Sequence, residues 1–295
     1  MQTWASIKGI PPAEIPPGVY SGVPFPEYAM LPFLNYSKLK HFHGGATPAH
    51  ARYALTHEKE SDAKSFGLAL HLAIFEPHRL DAETVVAPKV DRRFKEGKKA
   101  WAQYEELAKG RMILDEEQMA AIEAIRASAR ANATVNELLT NRGVNEMTFV
   151  WDDPEFKVRC KGRADRYTHM ESWPIVADLK SFGNVATRFA FERQAHQLGY
   201  WLQAAFYSDG LDAVAPTVGE AFRRFVWIVA EVNPPHCVRV FEADSEPLEW
   251  GRIQYRKAMR TWAEAQRTGS WPGWGEGIEL LGLPGWVTRT FVEEG

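Results

Sequence analysis

Cysteine is scarce in this chain, because only Cys160 and Cys237 occur among its 295 residues. Two cysteines are too few for a disulfide framework, for a four-cysteine zinc site or for an all-cysteine iron–sulfur cluster. We therefore expect both to be free thiols in the protein core.

Long apolar stretches are also missing. No run approaches 18 consecutive apolar residues, and the first residues do not show a charged region followed by an apolar one. We therefore expect no membrane-spanning helix, no membrane partner and no secretory signal, and we place the protein in a reducing cytoplasm.

An excess of positive charge is absent as well. The formal net charge is −3, which excludes the small, strongly basic class of nucleic-acid-binding domains. Any contact with a polyanion must therefore come from local basic stretches, of which residues 89–111 and 157–166 are the clearest. Such stretches are often only solvated surface, and this alternative stays open.

Proline and glycine are concentrated in residues 1–35, which we interpret as an extended arm rather than a packed element. Residues 36–295 are predicted to form a single domain with a helical N-terminal part. Helices are predicted from Ser37 to His43, from Thr47-Pro48 onward, and at 62–75, 115–139, 187–208 and 247–267. Strands are predicted at 146–151, 156–167, 173–180, 225–232 and 237–241. The expected fold class is mixed α+β, with a central mixed sheet flanked by helices.

The triplet Asp178-Leu179-Lys180 closes an apolar strand. Three other acid-x-lysine triplets occur, at 62–64, 96–98 and 155–157, so the triplet alone means little. Only the one at 178–180 ends a buried strand, and the period of two places Asp178 and Lys180 on the same face while Leu179 points into the core.

Asp165 lies thirteen residues earlier, on the polar face of the strand that also carries Arg163. Two neighbouring strands can bring two carboxylates together, and two carboxylates with water and phosphate oxygens suit Mg²⁺ or Mn²⁺. A metal there would polarise a phosphate, and the lysine would orient water or neutralise developing charge. A surface Asp–Lys pair at a strand end is the structural alternative.

Further candidate residues lie on helices and at a strand start. His71 follows Gly67 by one helical turn, so a close approach of another element could leave the imidazole free as a ligand; a satisfied structural histidine is the alternative. Glu146 is a third possible acid, or an ordinary strand residue. Helix 187–208 aligns four side chains that suit a nucleic-acid channel or, equally, a half-buried amphipathic helix. These side chains are His196, Tyr200, Gln203 and Tyr207.

Five segments in order resemble the exonuclease VIII (RecE-type) branch of the PD-(D/E)xK nucleases, a superfamily that includes the RecB nuclease domain and lambda exonuclease. They are Tyr36-Ser37-Lys38-Leu39-Lys40 with Thr47-Pro48, Gly67-x3-His71 with Glu76-Pro77, Gly162-Arg163-Ala164-Asp165, Asp178-Leu179-Lys180-Ser181, and Gly199-Tyr200-x2-Gln203-x3-Tyr207. The resemblance covers roughly residues 35–210. One departure from the superfamily motif is that Ala177 precedes the triplet and the nominal Pro-Asp is absent. In this branch a residue at the position of Asp165 commonly takes the place of the aspartate of that Pro-Asp.

The resemblance implies a restriction-endonuclease-like core and an Mg²⁺-dependent exodeoxyribonuclease, with Mn²⁺ able to substitute. It implies metal ligation by His71, Asp165, Asp178 and the Leu179 carbonyl, with Lys180 handling the water and Glu146 matching a catalytic acid loosely. Gln203 and Tyr207 match a QxxxY motif that would hold the DNA strand. From the helix stripe and the basic strand face, Tyr200 and Arg163 are expected to contact DNA too.

The same resemblance implies 5′-to-3′ digestion of linear double-stranded DNA, which leaves 3′ single-stranded tails for recombination by strand annealing. The implied partners are double-stranded DNA ends, further copies of the chain in a closed homo-oligomeric ring, and a single-strand annealing protein, in a bacterial or phage-infected cell. Two alternatives stay open: a PD-(D/E)xK endonuclease or repair nuclease, and a non-catalytic DNA-binding or assembly protein.

Overall fold

The structure is a computed structural model that describes residues 1–57, 62–91, 93–216, 223–283 and 287. Within these residues the strands are β1 (Gln2–Thr3), β2 (Gly18–Ser21), β3 (Thr84–Val86), β4 (Met112–Leu114), β5 (Val144–Asp153), β6 (Val158–Met170), β7 (Trp173–Phe182), β8 (Arg224–Glu231) and β9 (Val238–Glu242). The α-helices are α1 (Phe25–Met30), α2 (Tyr36–Leu39), α3 (Pro48–Thr56), α4 (Asp62–Phe75), α5 (Pro77–Glu83), α6 (Lys95–Ala108), α7 (Glu116–Ala131), α8 (Ala133–Thr140), α9 (Arg188–Leu198), α10 (Tyr200–Val214) and α11 (Ser245–Thr268).

Seven strands form one mixed sheet in the order β1-β2-β5-β6-β7-β8-β9. The β1–β2 and β7–β8 pairs are parallel and the remaining neighbours are antiparallel. Strands β3 and β4 form a separate two-stranded parallel ribbon. The prediction of a central mixed sheet flanked by helices is confirmed.

Helices cover both faces of the sheet, as the alternation along β8 illustrates. Trp227 and its same-face neighbours pack into a core cluster with α9, α10 and α11. Ile228 and its same-face neighbours pack into a second cluster with α4, α7 and α8. Because both faces are buried, β8 has a continuous apolar sequence rather than alternating apolar and polar residues.

Two of the predicted long helices are each divided into two. Asp115 begins α7 with a capping box shared with Gln118, but the helix ends at Ala131, where Asn132 caps α8 by accepting from the Val135 N–H at 3.1 Å. Gly199 separates α9 from α10 with a φ of 72°, a left-handed conformation that glycine adopts without strain.

The expectation of an extended, unpacked arm at residues 1–35 is wrong. Strand β2 pairs with β5, and the segment buries its own apolar cluster against Val150. The buried Lys161 explains part of this packing, since its Nζ donates to the carbonyls of Tyr28 at 2.6 Å and Leu31 at 2.7 Å. The C-terminal end of α1 thus supplies acceptors for Lys161 on β6.

Smaller differences concern the remaining elements. Asn35 rather than Ser37 caps the short helix α2, whereas Thr47 caps α3 as predicted. Helices α5 and α6 and the β3–β4 ribbon were not predicted. Both cysteines are free, but only Cys160 lies in the core, because Cys237 is exposed next to β9. In the described part of the chain, no helix has the length and apolarity that a bilayer crossing requires.

Candidate active site

Asp165 stands where β6 parts from β7 and where its pairing with β5 is interrupted at one position. The β6–β7 ladder runs from Met170 only as far as Arg166, and beyond it the Asp165 carboxylate accepts a 2.7 Å hydrogen bond from the Leu179 N–H. On the other side, the β5–β6 pairing skips Glu146, whose φ is 53°. A positive φ in a non-glycine residue inside a strand costs free energy and commonly marks a functional position.

Three possible metal ligands meet at this point. Single ligand atoms of His71, Glu146 and Asp165 all lie within 4.8 Å of one another, and all three side chains are partly exposed. His71 Nδ1 is 3.5 Å from the Asp165 Oδ2 atom. Two carboxylates and an imidazole suit a divalent cation such as Mg²⁺, Mn²⁺ or Fe²⁺. The donor set therefore fits a metal.

Asp178 and Lys180 form a second, adjacent group, and strand parity predicted their common face. Lys180 Nζ lies 2.7 Å from Asp178 Oδ2 and donates to Gln203 Oε1 at 2.9 Å. Gln203 Nε2 closes the ring by donating to Asp178 Oδ1 at 2.7 Å. The Lys180 ammonium also lies 4.5 Å from the centre of the Tyr200 ring, within cation–π range.

The electrostatics couple the two groups. Burial raises the pKa of Asp165 to about 7, and the charges of Asp178 and Glu146 act in the same direction. His71 and Lys180 oppose that rise. Burial acts to lower the pKa of Lys180, but the charge of Asp178, with smaller contributions from Tyr200, Tyr36 and Asp165, holds that pKa above its ordinary value. The lysine is therefore cationic at neutral pH, whereas the Asp165 carboxyl holds a proton more tightly than an ordinary aspartate does.

Only some of the metal ligands predicted from the sequence meet in the cluster. Glu146, the weakest candidate from sequence, joins His71 and Asp165, while Asp178 stands next to them with its oxygens directed at Gln203 and Lys180. The participation of Asp178 and of the Leu179 carbonyl in metal ligation therefore stays a prediction. Gly67 does not provide the close approach we expected above His71, since no atom lies within 4 Å of the position its Cβ would take.

The residues expected to contact DNA are largely engaged within the protein. The Arg163 guanidinium donates to Glu146, donates to the Val23 carbonyl at 2.8 Å and lies 5.4 Å from the Tyr28 ring. Gln203 and Tyr207 are buried behind the carboxylates. The role of these side chains in strand binding stays a prediction, but their described contacts are with other groups of the protein.

The four side chains predicted to share one helix face do not do so, because the helix is broken at Gly199. His196 belongs to α9, where its ring packs against His43 and Trp250, so it does not continue the Tyr200, Gln203 and Tyr207 face. The basic stretch at 89–111 is mainly solvated surface with local pairs such as Lys89–Glu116 at 3.2 Å; Arg92 lies outside the described residues.

Sequence reasoning missed a role for Tyr36 and Tyr28, which border the site. The Tyr36 hydroxyl donates to the Leu198 carbonyl at 2.9 Å, and the charges of Lys180 and Asp178 reach it. Tyr28 lies against the guanidinium of Arg163. The only sequence signal was the presence of Tyr36 in the first matching motif, which suggested no contact partner.

Comparison with known proteins now adds to this geometry. Residues 35–284 match the PDDEXK-like domain of unknown function DUF3799. The chain belongs to this family. Both the match and the mixed sheet confirm the predicted PD-(D/E)xK fold class, and they place the chain in the PD-(D/E)xK nuclease superfamily. No curated protein matches the sequence.

One solved structure agrees with the fold of this DUF3799 member. A crystal structure from Eubacterium rectale, of a protein provisionally assigned as an exonuclease, superposes with a TM-score of 0.57 at 12% identity, over 88% of this chain and 92% of that chain. A second solved structure, SSO0001, gives a TM-score of 0.29 at 12% identity, over 72% of this chain and 89% of that chain, and supports no conclusion. At such identity the first likeness concerns the fold alone.

Proposed function

We propose that this chain is an Mg²⁺-dependent DNA exonuclease of the RecE type. The observation that carries the proposal is the convergence of ligand atoms from His71, Glu146 and Asp165 within 4.8 Å, beside Lys180. A divalent cation held there would polarise the scissile phosphate and lower the pKa of a bound water. Mn²⁺ is expected to substitute, since it accepts the same oxygen and imidazole donors.

The chain's own residues have separable roles in this proposal. The Leu179 N–H fixes one carboxylate oxygen of Asp165, and Arg163 orients the carboxylate of Glu146. Lys180 supplies a fixed positive charge that can orient the attacking water or neutralise charge developing on the phosphate. Gln203 holds Lys180 in place, so that the charge is preorganised before substrate arrives.

The choice of an exonuclease over an endonuclease rests on the order of the five motifs. The provisional assignment of the Eubacterium rectale protein as an exonuclease agrees with it. As part of the same proposal, the substrate is the end of linear duplex DNA, digestion runs 5′ to 3′, and the 3′ tails feed a single-strand annealing protein. Assembly as a closed homo-oligomeric ring belongs to the proposal as well.

End-labelled linear duplex DNA tests the proposal directly. Wild-type protein should release label from the 5′ end first, in Mg²⁺ and not in EDTA. Lys180→Ala and Asp178→Ala should lose this activity while keeping the wild-type circular dichroism spectrum. Undiminished digestion by purified, folded Asp178→Ala would contradict the assignment of the site.

A covalently closed circle of the same sequence separates exonuclease from endonuclease. The proposed enzyme should leave the circle intact over the time in which it consumes the linear form. Rapid loss of the circle would instead identify an endonuclease that uses the same metal site.

A further inference from the structure

One segment of the chain carries no negative charge. The thirty residues from Tyr28 to His57 contain no aspartate or glutamate, although the chain as a whole has 38 acidic residues and a net charge of −3. The segment contains three of the chain's lysines and arginines and four of its nine histidines. The cationic residues are Lys38, Lys40 and Arg52. This is a local positive field of the kind that the composition of the whole chain does not show.

The segment begins at the candidate active site. Tyr28 borders the Arg163–Glu146 pair, and Tyr36 lies close enough to Lys180 and Asp178 for their charges to act on its phenol. Helix α2 and a short 3-10 segment at Lys40–Gly45 then lead away from the site to α3. A stretch of chain that contributes cations and no carboxylates therefore leads from the proposed metal site to α3.

Aromatic rings meet at the far end of this segment, where the chain that follows α11 contacts α3. Tyr53 is 65% exposed and stacks on His57 with ring centres 4.1 Å apart. Trp274, 72% exposed, lies edge-on to His50 at 5.5 Å. The Arg52 guanidinium lies 5.8 Å from the ring centre of Trp271, so cation and aromatic rings are interleaved. We call these six residues the α3 surface.

The two chain segments that form the α3 surface are joined by a backbone hydrogen bond and by ring packing. The Ala49 N–H donates to the Pro272 carbonyl at 3.1 Å and so ties the tryptophan-bearing segment to α3. Beneath it, Trp271 packs against Trp262 at 5.9 Å and against Phe42 at 6.5 Å. Trp271 is therefore held by packed neighbours, while the exposed rings of Tyr53 and Trp274 each rest against one histidine ring.

We propose that the α3 surface binds a single strand of the nucleic acid that is cleaved at the metal site; this rests on the proposed function. Unpaired bases stack on exposed aromatic rings irrespective of sequence, while lysine and arginine neutralise the backbone phosphates. Duplex DNA hides its base faces and gives exposed rings nothing to stack on. The combination of exposed rings, interleaved arginine and acid-free chain thus favours the single strand over the duplex.

Fluorescence anisotropy of a labelled oligothymidine about 20 nucleotides long tests the proposal on the full chain in EDTA, where no cleavage intervenes. Tyr53→Ala and Trp274→Ala should each weaken binding by about fivefold or more, the loss typical of one stacked base. Arg52→Gln should lower the slope of log K against log salt by about 0.7, the value for one phosphate contact on a single strand.

Phe189→Ala provides a matched control. Phe189 is 69% exposed on α9 and lies near a guanidinium, that of Arg193 at 5.7 Å, but it does not belong to the α3 surface, and its own helix carries Glu192. It should leave oligothymidine binding unchanged. Circular dichroism and thermal unfolding of each variant report whether any loss of binding comes from loss of fold.

Three results would overturn the proposal. The first is wild-type affinity in both folded aromatic variants, and the second is an equal loss in Phe189→Ala. The third is a changed sedimentation coefficient of Trp274→Ala while its oligothymidine binding is intact. Such a change in oligomeric state would identify the α3 surface as a contact between copies of the chain. Mg²⁺-dependent cleavage by the wild type is measured separately. If the wild type cleaves DNA but the aromatic variants bind oligothymidine as tightly as it does, only the proposal for the α3 surface is rejected. If the variants lose binding but the wild type cleaves no DNA, only the nuclease assignment is rejected.

Discussion

The carboxylate of Asp165 accepts a 2.7 Å hydrogen bond from the backbone N–H of Leu179. Where β6 and β7 part, a side chain thus takes the place of a strand carbonyl as acceptor. The bond fixes Asp165 Oδ2 and leaves the charge of the carboxylate beside Asp178 and Glu146, in surroundings that raise its pKa to about 7. Because an asparagine can accept the same bond without a charge, charge and geometry can be separated experimentally.

We predict that Asp165→Asn stabilises the metal-free protein at alkaline pH. The ordinary carboxyl pKa is 3.8 and the folded value is about 7, so the folded protein holds this proton more tightly than the unfolded chain does. Between these values the stability of the wild type falls as pH rises, and the loss is complete above pH 7. The variant escapes this loss and should unfold a few degrees higher in EDTA at pH 8, with the difference vanishing near pH 4.

Thermal unfolding with and without Mg²⁺ checks this prediction. Added Mg²⁺ should raise the unfolding temperature of the wild type and have little effect on Asp165→Asn, which should also be inactive. A variant that unfolds below the wild type in EDTA at pH 8 would show that Asp165 is stabilising as an anion, and the account of its pKa would be wrong.

The parts of the site that the sequence predicted follow from local periodicity. Alternation along β7 places Asp178 and Lys180 on one face, and the structure brings the two into contact. Glu146 was a weak candidate because its meeting with Asp165 depends on the register of β5 against β6 and on a φ of 53°. Neither is encoded in the alternation of residue types.

The missed features all depend on contacts between distant segments. A single glycine does not interrupt a helical sequence pattern, so the pattern continued through Gly199. In the structure the helix breaks at Gly199, and the His43 ring lies 3.5 Å from the position that a Cβ on this residue would take. The prolines of residues 1–35 suggested irregular chain, but the pairing of β2 with β5, the apolar cluster against Val150 and the carbonyl acceptors for Lys161 are contacts with distant residues. Sequence patterns report local conformation and do not report such pairings.

We predict that Gln203 acts through Lys180 and Asp178 rather than by binding DNA. Gln203→Leu removes the donor to Asp178 and the acceptor for Lys180, so the ammonium is no longer held in one position. The kcat for linear duplex should fall by about 10- to 100-fold, the range seen when residues that orient catalytic groups are lost. The KM should change little.

Steady-state digestion of duplex DNA separates these parameters, and Gln254→Leu on α11 is a control for the same substitution away from the site. A rise in KM with an unchanged kcat would instead show that Gln203 contributes uniform binding of the DNA strand.

We predict that Arg163 positions Glu146. Arg163→Gln frees the Glu146 carboxylate from its guanidinium, so the Mg²⁺ concentration for half-maximal activity should rise by about tenfold. Isothermal titration of Mg²⁺ into the DNA-free protein should show the same loss. If Arg163 contacts a phosphate instead, metal affinity stays unchanged and the salt dependence of duplex binding falls by about 0.9 in slope.

Finally, we predict that Gly162→Ala destabilises the fold severely. Gly162 pairs with the fully buried Phe149 across β5 and β6, and a Cβ at position 162 would overlap the Phe149 ring. Because the Phe149 ring is already packed against Trp151 and Tyr207, overpacking should lower the free energy of unfolding by about 1–3 kcal/mol or more. Urea unfolding measures this loss.

Gly183→Ala is the matched control, since no atom lies within 4 Å of its Cβ position. It should change stability by less than about 0.5 kcal/mol. In the double variant Gly162→Ala/Phe149→Leu the smaller side chain makes room for the methyl group, so the destabilisation should be less than the sum of the two single effects. Additive losses would mean that the Phe149 ring does not limit the space at position 162, and that glycine is required there for the backbone of β6 itself.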